Sequence, residues 1–191
     1  MRSKNENHLS SDWIELLDIL EKFRVKYMII GGHAFGFHVE PRFTKDLEIW
    51  ISTTKANALA AYRALAEFGA PLKDCGPHDF TEEGTFYQFG EYPSRVDFLM
   101  GPPGPSFASA WRERVETEIA GHKAIYVGRK SLIEMKIAAN RPKDKVDLRA
   151  LADSSPFAKK SAKGLQPTRS QKAGASHKRV RPSPGATKKR K

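Results

Sequence analysis

The sequence predicts an α+β domain followed by a basic tail that has no core of its own, and three observations carry that expectation. Amphipathic segments at helical spacing alternate with short apolar runs of strand length. Gly and Pro mark the junctions between them. The charge is also divided: residues 1 to 152 hold 21 Lys and Arg against 21 Asp and Glu, so the end of the 191-residue chain carries the whole excess of +11. A block of about 150 residues is a common size for a single domain with a real core. The expected boundaries are a flexible N-terminus over 1–10, one domain over 11–152 and a disordered basic tail over 153–191.

The elements follow in order. Asp12 and Glu15 have capping-box spacing, and Trp13, Leu16, Leu17, Leu20 and Phe23 then recur as one face of a helix. Lys26 to Ile30 reads as a short buried strand ending at Gly31-Gly32, with a helix starting just after the glycines, over His33 to His38. Asp46 to Ser52 is the next strand, and Thr53 or Thr54 caps an alanine-rich helix that runs to Phe68 and stops at Gly69 and Pro71. Residues 72 to 84 read as a loop. Thr85 to Phe89 and Arg95 to Met100 form a hairpin, Gly101 to Pro105 a turn, and Ser106 to Arg114 a short helix. Glu116 to Val127 is a second hairpin turning at Gly121-His122. Ser131 and Glu134 open a helix over Leu132 to Asn140 that Pro142 ends, and Lys143 to Leu151 is the last helix.

Composition excludes several classes of function. Cys75 is the only cysteine, which rules out an intramolecular disulfide and a cysteine-clustered zinc site and fits a cytoplasmic protein. MRSKNENHLSSDW has no apolar core of signal-peptide type, and no run approaches the roughly 20 apolar residues of a membrane span. The expectation is a soluble protein with no membrane contact. From Asp153 onward the chain is mostly Lys, Arg, Ser, Pro, Gly and Ala, with hardly an apolar residue and no Phe, Trp or Tyr after Phe157. Such a tail suits salt-sensitive attachment to RNA or DNA through residues 159–191, without base stacking.

Chemistry is concentrated where acids interrupt strands. In an extended 46–51 segment Asp46, Glu48 and Trp50 share one face, and Leu47, Ile49 and Ile51 the other. In the strand 95–100, Asp97 shares its face with Arg95 and Leu99. If Asp97 folds back beside Asp46, three carboxylates offer the hard oxygen ligands that suit Mg2+ or Mn2+. The strand, the Gly31-Gly32 turn and the following helix start make an anion site possible, because free N–H groups would point outward there. The plain alternative is a solvent-facing edge strand, with Asp97 paired to Arg95. Lys136, Asp144 and Asp147 have a similar alternative: Lys143 and Asp147 stand four residues apart, and Asp144 can cap the last helix. Of the histidines, His33 beside the glycines is the one retained as a candidate.

Gly31-Gly32, thirteen intervening residues, Asp46-Leu47-Glu48 and then Asp97 within RVDFL resemble the nucleotidyltransferase superfamily related to DNA polymerase beta. Arg42 to Lys45 and LIEMKIAANRPKDKVDLRAL also look like its small bacterial toxin–antitoxin-related (AbiEii/MNT-like) members. The match runs from about residue 13 to 151. The resemblance implies a nucleotidyltransferase-like fold with a mixed sheet flanked by helices, a nucleoside triphosphate substrate and two Mg2+ (or Mn2+) ions. It implies that Asp46 and Glu48 bind both metals, and that Asp97 binds one and helps to deprotonate an acceptor hydroxyl on RNA, tRNA included, or on protein. Gly31, Gly32, His33, Arg42, Thr44, Lys45 and Lys136 become the nucleotide-binding candidates, with Lys136 on the triphosphate. The second acid is Glu where Asp is commoner, and His33 stands where serine often lies nearby. The same resemblance leaves room for a fold that only binds, as the antitoxin-like half of a toxin–antitoxin or defence pair with a partner protein.

Overall fold

The computed structural model describes residues 9 to 154. The expected flexible N-terminus, apart from its last two residues, and the basic tail beyond Ser154 lie outside the described residues, as does the expected nucleic-acid contact at 159–191.

The described chain runs α1 Ser11–Lys22, β1 Tyr27–Ile29, α2 Gly31–His38, β2 Asp46–Ile51, α3 Lys55–Phe68, β3 Thr85–Phe89, β4 Arg95–Met100, α4 Phe107–Arg112, β5 Val115–Ile119, β6 His122–Tyr126, α5 Arg129–Ala139 and α6 Pro142–Asp153. The six strands form one sheet in the order β3-β4-β2-β1-β6-β5. The pairs β2·β4 and β1·β6 are parallel, and the other three are antiparallel. The expected α+β class is therefore realised as a mixed six-stranded sheet with helices on it. Among the described residues, no helix is long and apolar enough to cross a membrane.

Local chemistry moves several expected boundaries. Ser10, not Asp12, caps α1: its hydroxyl accepts from the Trp13 N–H at 3.3 Å, and Asp12 falls in the first turn, where the helix dipole favours an acid. The second hairpin turns one residue early, at Ala120-Gly121, with φ of 52° and 87°. Positive φ at both positions is the type I′ turn, whose twist matches that of the strands, and His122 becomes the first residue of β6. α5 starts at Arg129 and Ser131 is buried inside it, because Gly128 already has the extended conformation of an N-cap. α6 takes Pro142 into its first turn, where a missing N–H costs nothing, and extends to Asp153. The loop 72–84 contains a 3-10 turn, Asp79–Thr81, that buries Phe80.

Strand alternation then assigns each sheet face. Leu47, Ile49 and Ile51 of β2 are fully buried beside Val96 and Phe98 of β4. An aromatic chain from Phe98 through Phe89 to Phe68 of α3, with centroids 6.2 and 5.9 Å apart, shows which helix covers that face. α1 packs against α3 and β6, and its Leu16, Leu17 and Leu20 are essentially inaccessible; each such burial stabilises by roughly 1.5–3 kcal/mol. The opposite face carries Asp46, Glu48, Trp50, Arg95, Asp97 and Leu99. α4 closes its Trp50 end through a Phe107 contact at 5.2 Å, and α5, with α6 packed on it, borders the Glu48 end. The acidic half of this face stays accessible, with Asp46, Glu48 and Asp97 half-buried.

Candidate active site

β2 and β4 run parallel in a register that sets Glu48 opposite Asp97, and Arg95 opposite Asp46. Asp97 is thus Glu48's direct neighbour and lies diagonally from Asp46, so the three acids share one face as the alternation requires. All three are half-buried.

Each carboxylate has a protein partner. Glu48 reaches back to the N-terminus of α2, where its Oε2 accepts from the Gly32 N–H at 3.1 Å. Gly31 permits this approach for two reasons: its φ is +62°, and a Cβ there would lie 1.4 Å from that same oxygen. Gly32 is confined from the other side, since a Cβ would meet the Thr44 side chain at 3.2 Å. Asp46 is ion-paired to Arg95, whose Nε lies 3.6 Å from Asp97 Oδ1. Gln88 Nε2 donates to Asp97 Oδ1 at 2.7 Å. Among the described residues, the one trio of His, Asp or Glu side chains with ligand atoms all within 4.8 Å of one another is His78, Asp79 and Glu82, all exposed. It lines neither cavity described next, and Asp46, Glu48 and Asp97 are not drawn together to that distance.

Glu48 stands between two cavities. The first, of about 270 Å³, has apolar walls with Lys136 and Arg141 among them. The second, of about 290 Å³, includes Asp97, Thr85 and Phe86. Glu48, Leu99, Pro102 and Pro103 line both. A carboxylate on a shared wall, with cations on one side and a second acid on the other, can serve two bound groups at once.

Behind the first cavity lies a chain of alternating charges. Arg42 grips Asp147 through two bonds of 2.6 and 3.1 Å and lies over the Phe35 ring at 4.3 Å. Lys136 Nζ donates to Asp147 at 2.6 Å and lies 3.5 Å from Asp144, and Arg141 Nε donates to Asp144 at 2.7 Å. Lys136, Asp144 and Asp147 are at most 4% exposed. Burial alone pushes both aspartates up, but the bonds from Arg141 to Asp144, and from Arg42 and Lys136 to Asp147, outweigh it and hold both below the usual carboxylate range.

The expected nucleotide-binding residues therefore separate. Gly31 and Lys136 line the first cavity, and Gly32 holds Glu48. Arg42 is committed to Asp147 and lines neither cavity. Thr44 Oγ1 donates to the Asp46 carbonyl, two residues on, at 2.7 Å, and Lys45 is exposed. His33 meets Trp13 edge to face at 5.0 Å. Sequence reading passed over Arg141 and Gln88; Gln88 was visible as a residue on alternate positions of an edge strand, whereas nothing in the sequence marks Arg141 as a cavity wall.

Burial lowers the His33 pKa from its ordinary value of 6.5 to about 4, against the pull of Asp46, so the ring is neutral at pH 7. The unfolded chain binds the proton more readily between those values. Stability from a neutral His33 is therefore complete above about pH 6.5 and lost as pH falls toward 4. Melting temperature followed from pH 7 to 4.5 should fall more steeply in the native chain than in His33→Gln; equal slopes would show an ordinary histidine.

No family model matches the chain, and no curated protein does. Solved structures do. The chain is similar to a Thermotoga maritima protein named a nucleotidyltransferase, at 15% identity and a TM-score of 0.48, covering 74% of this chain and 90% of that one. It is similar to an antigenic nucleotidyltransferase-like protein from Paracoccidioides brasiliensis, at 17% identity and a TM-score of 0.45, covering 78% of each chain. It is also similar to ANT(2″)-Ia, solved with adenylyl-2″-tobramycin, at 13% identity and a TM-score of 0.49, covering 78% of this chain and 90% of that one.

Proposed function

We propose that this protein is a metal-dependent nucleotidyltransferase that moves a nucleoside monophosphate from a triphosphate to a hydroxyl group. The observation that carries the reading is the wall shared by the two cavities. Glu48 stands on it between Lys136 and Arg141 on one side and Asp97 on the other, with Asp46 on the same sheet face. The donor set fits a hard divalent ion: three carboxylates on adjacent parallel strands, which already attract a cation, since Arg95 bridges Asp46 and Asp97. Asp46, Glu48 and Asp97 would hold Mg2+ or Mn2+, and the ion when bound supplies charge neutralisation for the phosphates and acidifies the acceptor hydroxyl.

In this reading the first cavity takes the triphosphate, with Arg141 beside its oxygens, the Lys136 ammonium held on Asp147 and Asp144 behind them, and the apolar walls around the nucleoside. The second cavity takes the acceptor. The acceptor oxygen attacks the α-phosphorus, and a new P–O bond forms. The bond from that phosphorus to the bridging oxygen breaks, and pyrophosphate leaves. Asp97 receives the hydroxyl proton. The acceptor is RNA or a protein side chain, and the basic tail favours RNA. A place in a toxin–antitoxin or defence pair in the cytoplasm belongs to the same proposal.

One observation favours a second reading, a binding module without chemistry: Glu48 already satisfies the Gly32 N–H that a phosphate would use. The two readings part in one assay. Purified protein incubated with labelled nucleoside triphosphates, MgCl2 and total RNA or cell extract should pass label to a macromolecule. Nucleotide binding without any transfer would leave the binding module and remove the enzyme.

A further inference from the structure

We propose that Arg95 is a built-in counter-cation for the acidic face: it positions Asp46 and Asp97 before any metal arrives and competes with the metal for them. This rests on the metal-binding reading above and adds a residue that reading does not use.

The register compels the contact. Arg95 is two residues before Asp97, so alternation puts both on one face, and pairing of β4 with β2 sets Arg95 directly opposite Asp46. Its Nη2 donates to Asp46 Oδ2 while its Nε lies 3.6 Å from Asp97 Oδ1. That Nε is shut off from solvent and has no hydrogen-bond acceptor, so the Asp97 contact is electrostatic and the guanidinium is held mainly by Asp46. A guanidinium keeps its charge at every accessible pH, and without it three carboxylates on two neighbouring strands would repel one another.

The same placement makes Arg95 a rival of the ion. A divalent cation using the oxygens of Asp46 and Asp97 has to displace the guanidinium from Asp46 and then remain near its charge. Metal affinity is therefore weaker than the carboxylates alone would give, and the site fills only when the ion, or an ion with its triphosphate, is abundant enough to displace the arginine. Removing the charge should strengthen metal binding, a direction that a merely structural role cannot produce, since structural damage weakens a site.

The test is Mn2+ binding to the full-length protein, with MnCl2 alone, followed by electron paramagnetic resonance of the free ion. R95Q should bind Mn2+ about tenfold or more tightly than the native chain, the size expected from removing one unit charge a few ångströms from a dication in a half-exposed site. R95K, which keeps the charge, should stay close to the native affinity, and D46N should lose binding. Without metal R95Q should melt below the native protein and recover more on adding Mn2+. Equal or weaker binding by R95Q, with D46N still lost, would overturn the role of Arg95 and leave the metal site standing. Tightening by R95K as large as by R95Q would overturn it too, because charge would not be the cause. Absence of Mn2+ binding in both the native chain and R95Q would overturn the metal reading, and this inference with it.

Discussion

Asp97→Asn should lower nucleotidyl transfer by roughly 10²–10⁴-fold, the range for removing a general base, with little change in the KM for the triphosphate. The amide keeps an oxygen at the Oδ1 position that Gln88 reaches at 2.7 Å, so the strand pairing and that bond survive. It loses the negative charge and the ability to take a proton. Asp97 lines the second cavity and not the first, so the damage should fall on kcat and on acceptor use rather than on triphosphate binding. Single-turnover transfer with an acceptor that the native protein uses is the measurement. A rate within tenfold of native would remove Asp97 from the chemistry and leave it as a partner of Gln88 and Arg95.

Asp147→Asn should cost about 3–5 kcal/mol of stability, the usual penalty for stripping one partner from a buried ion pair. Asp147 is 2% exposed and receives three bonds, two from Arg42 and one from Lys136, and Lys136 is itself only 4% exposed. An amide offers one acceptor oxygen and no charge, so Lys136 would be buried with Asp144 alone, 3.5 Å away. Each kcal/mol lowers the melting temperature of a domain this size by roughly 2–4 °C, so a drop on the order of 10 °C is expected. The pH response carries the same sign. Because both aspartates titrate below the usual carboxylate range in the folded state, their stabilisation is complete above the unfolded value and disappears as pH falls through the depressed folded values. The variant should show a shallower loss on that acid limb. Lys136→Met added to Asp147→Asn should recover part of the stability, since it removes a buried charge that has lost its nearer counter-charge. A melting temperature within about 2 °C of native in Asp147→Asn would show that water reaches this network.

These two residues were not equally legible. Asp97 could be found because an acid between Val96 and Phe98 interrupts an apolar run, and period-two geometry then assigns its face with no tertiary knowledge. Asp147 gave only a local signal. Its spacing from Lys143 suggested an ordinary surface pair, yet it faces inward to Lys136 and to Arg42, which lies 105 positions earlier. Helical spacing records neighbours on one helix and nothing about which side the core will take.

Residues 28 to 51 show the same division most clearly. The sequence alone determined the strand, the glycine pair, the common face of Asp46 and Glu48, and the need for a partner to those acids, because each follows from backbone periodicity and the cost of an unpaired charge. The tertiary structure decided who the partners are. Parallel pairing of β2 with β4 sets Arg95 against Asp46 and Asp97 against Glu48. The extra methylene of Glu48 lets its carboxylate close on the Gly32 N–H. Both outcomes depend on register and distance between segments far apart in the chain, and no local pattern encodes those.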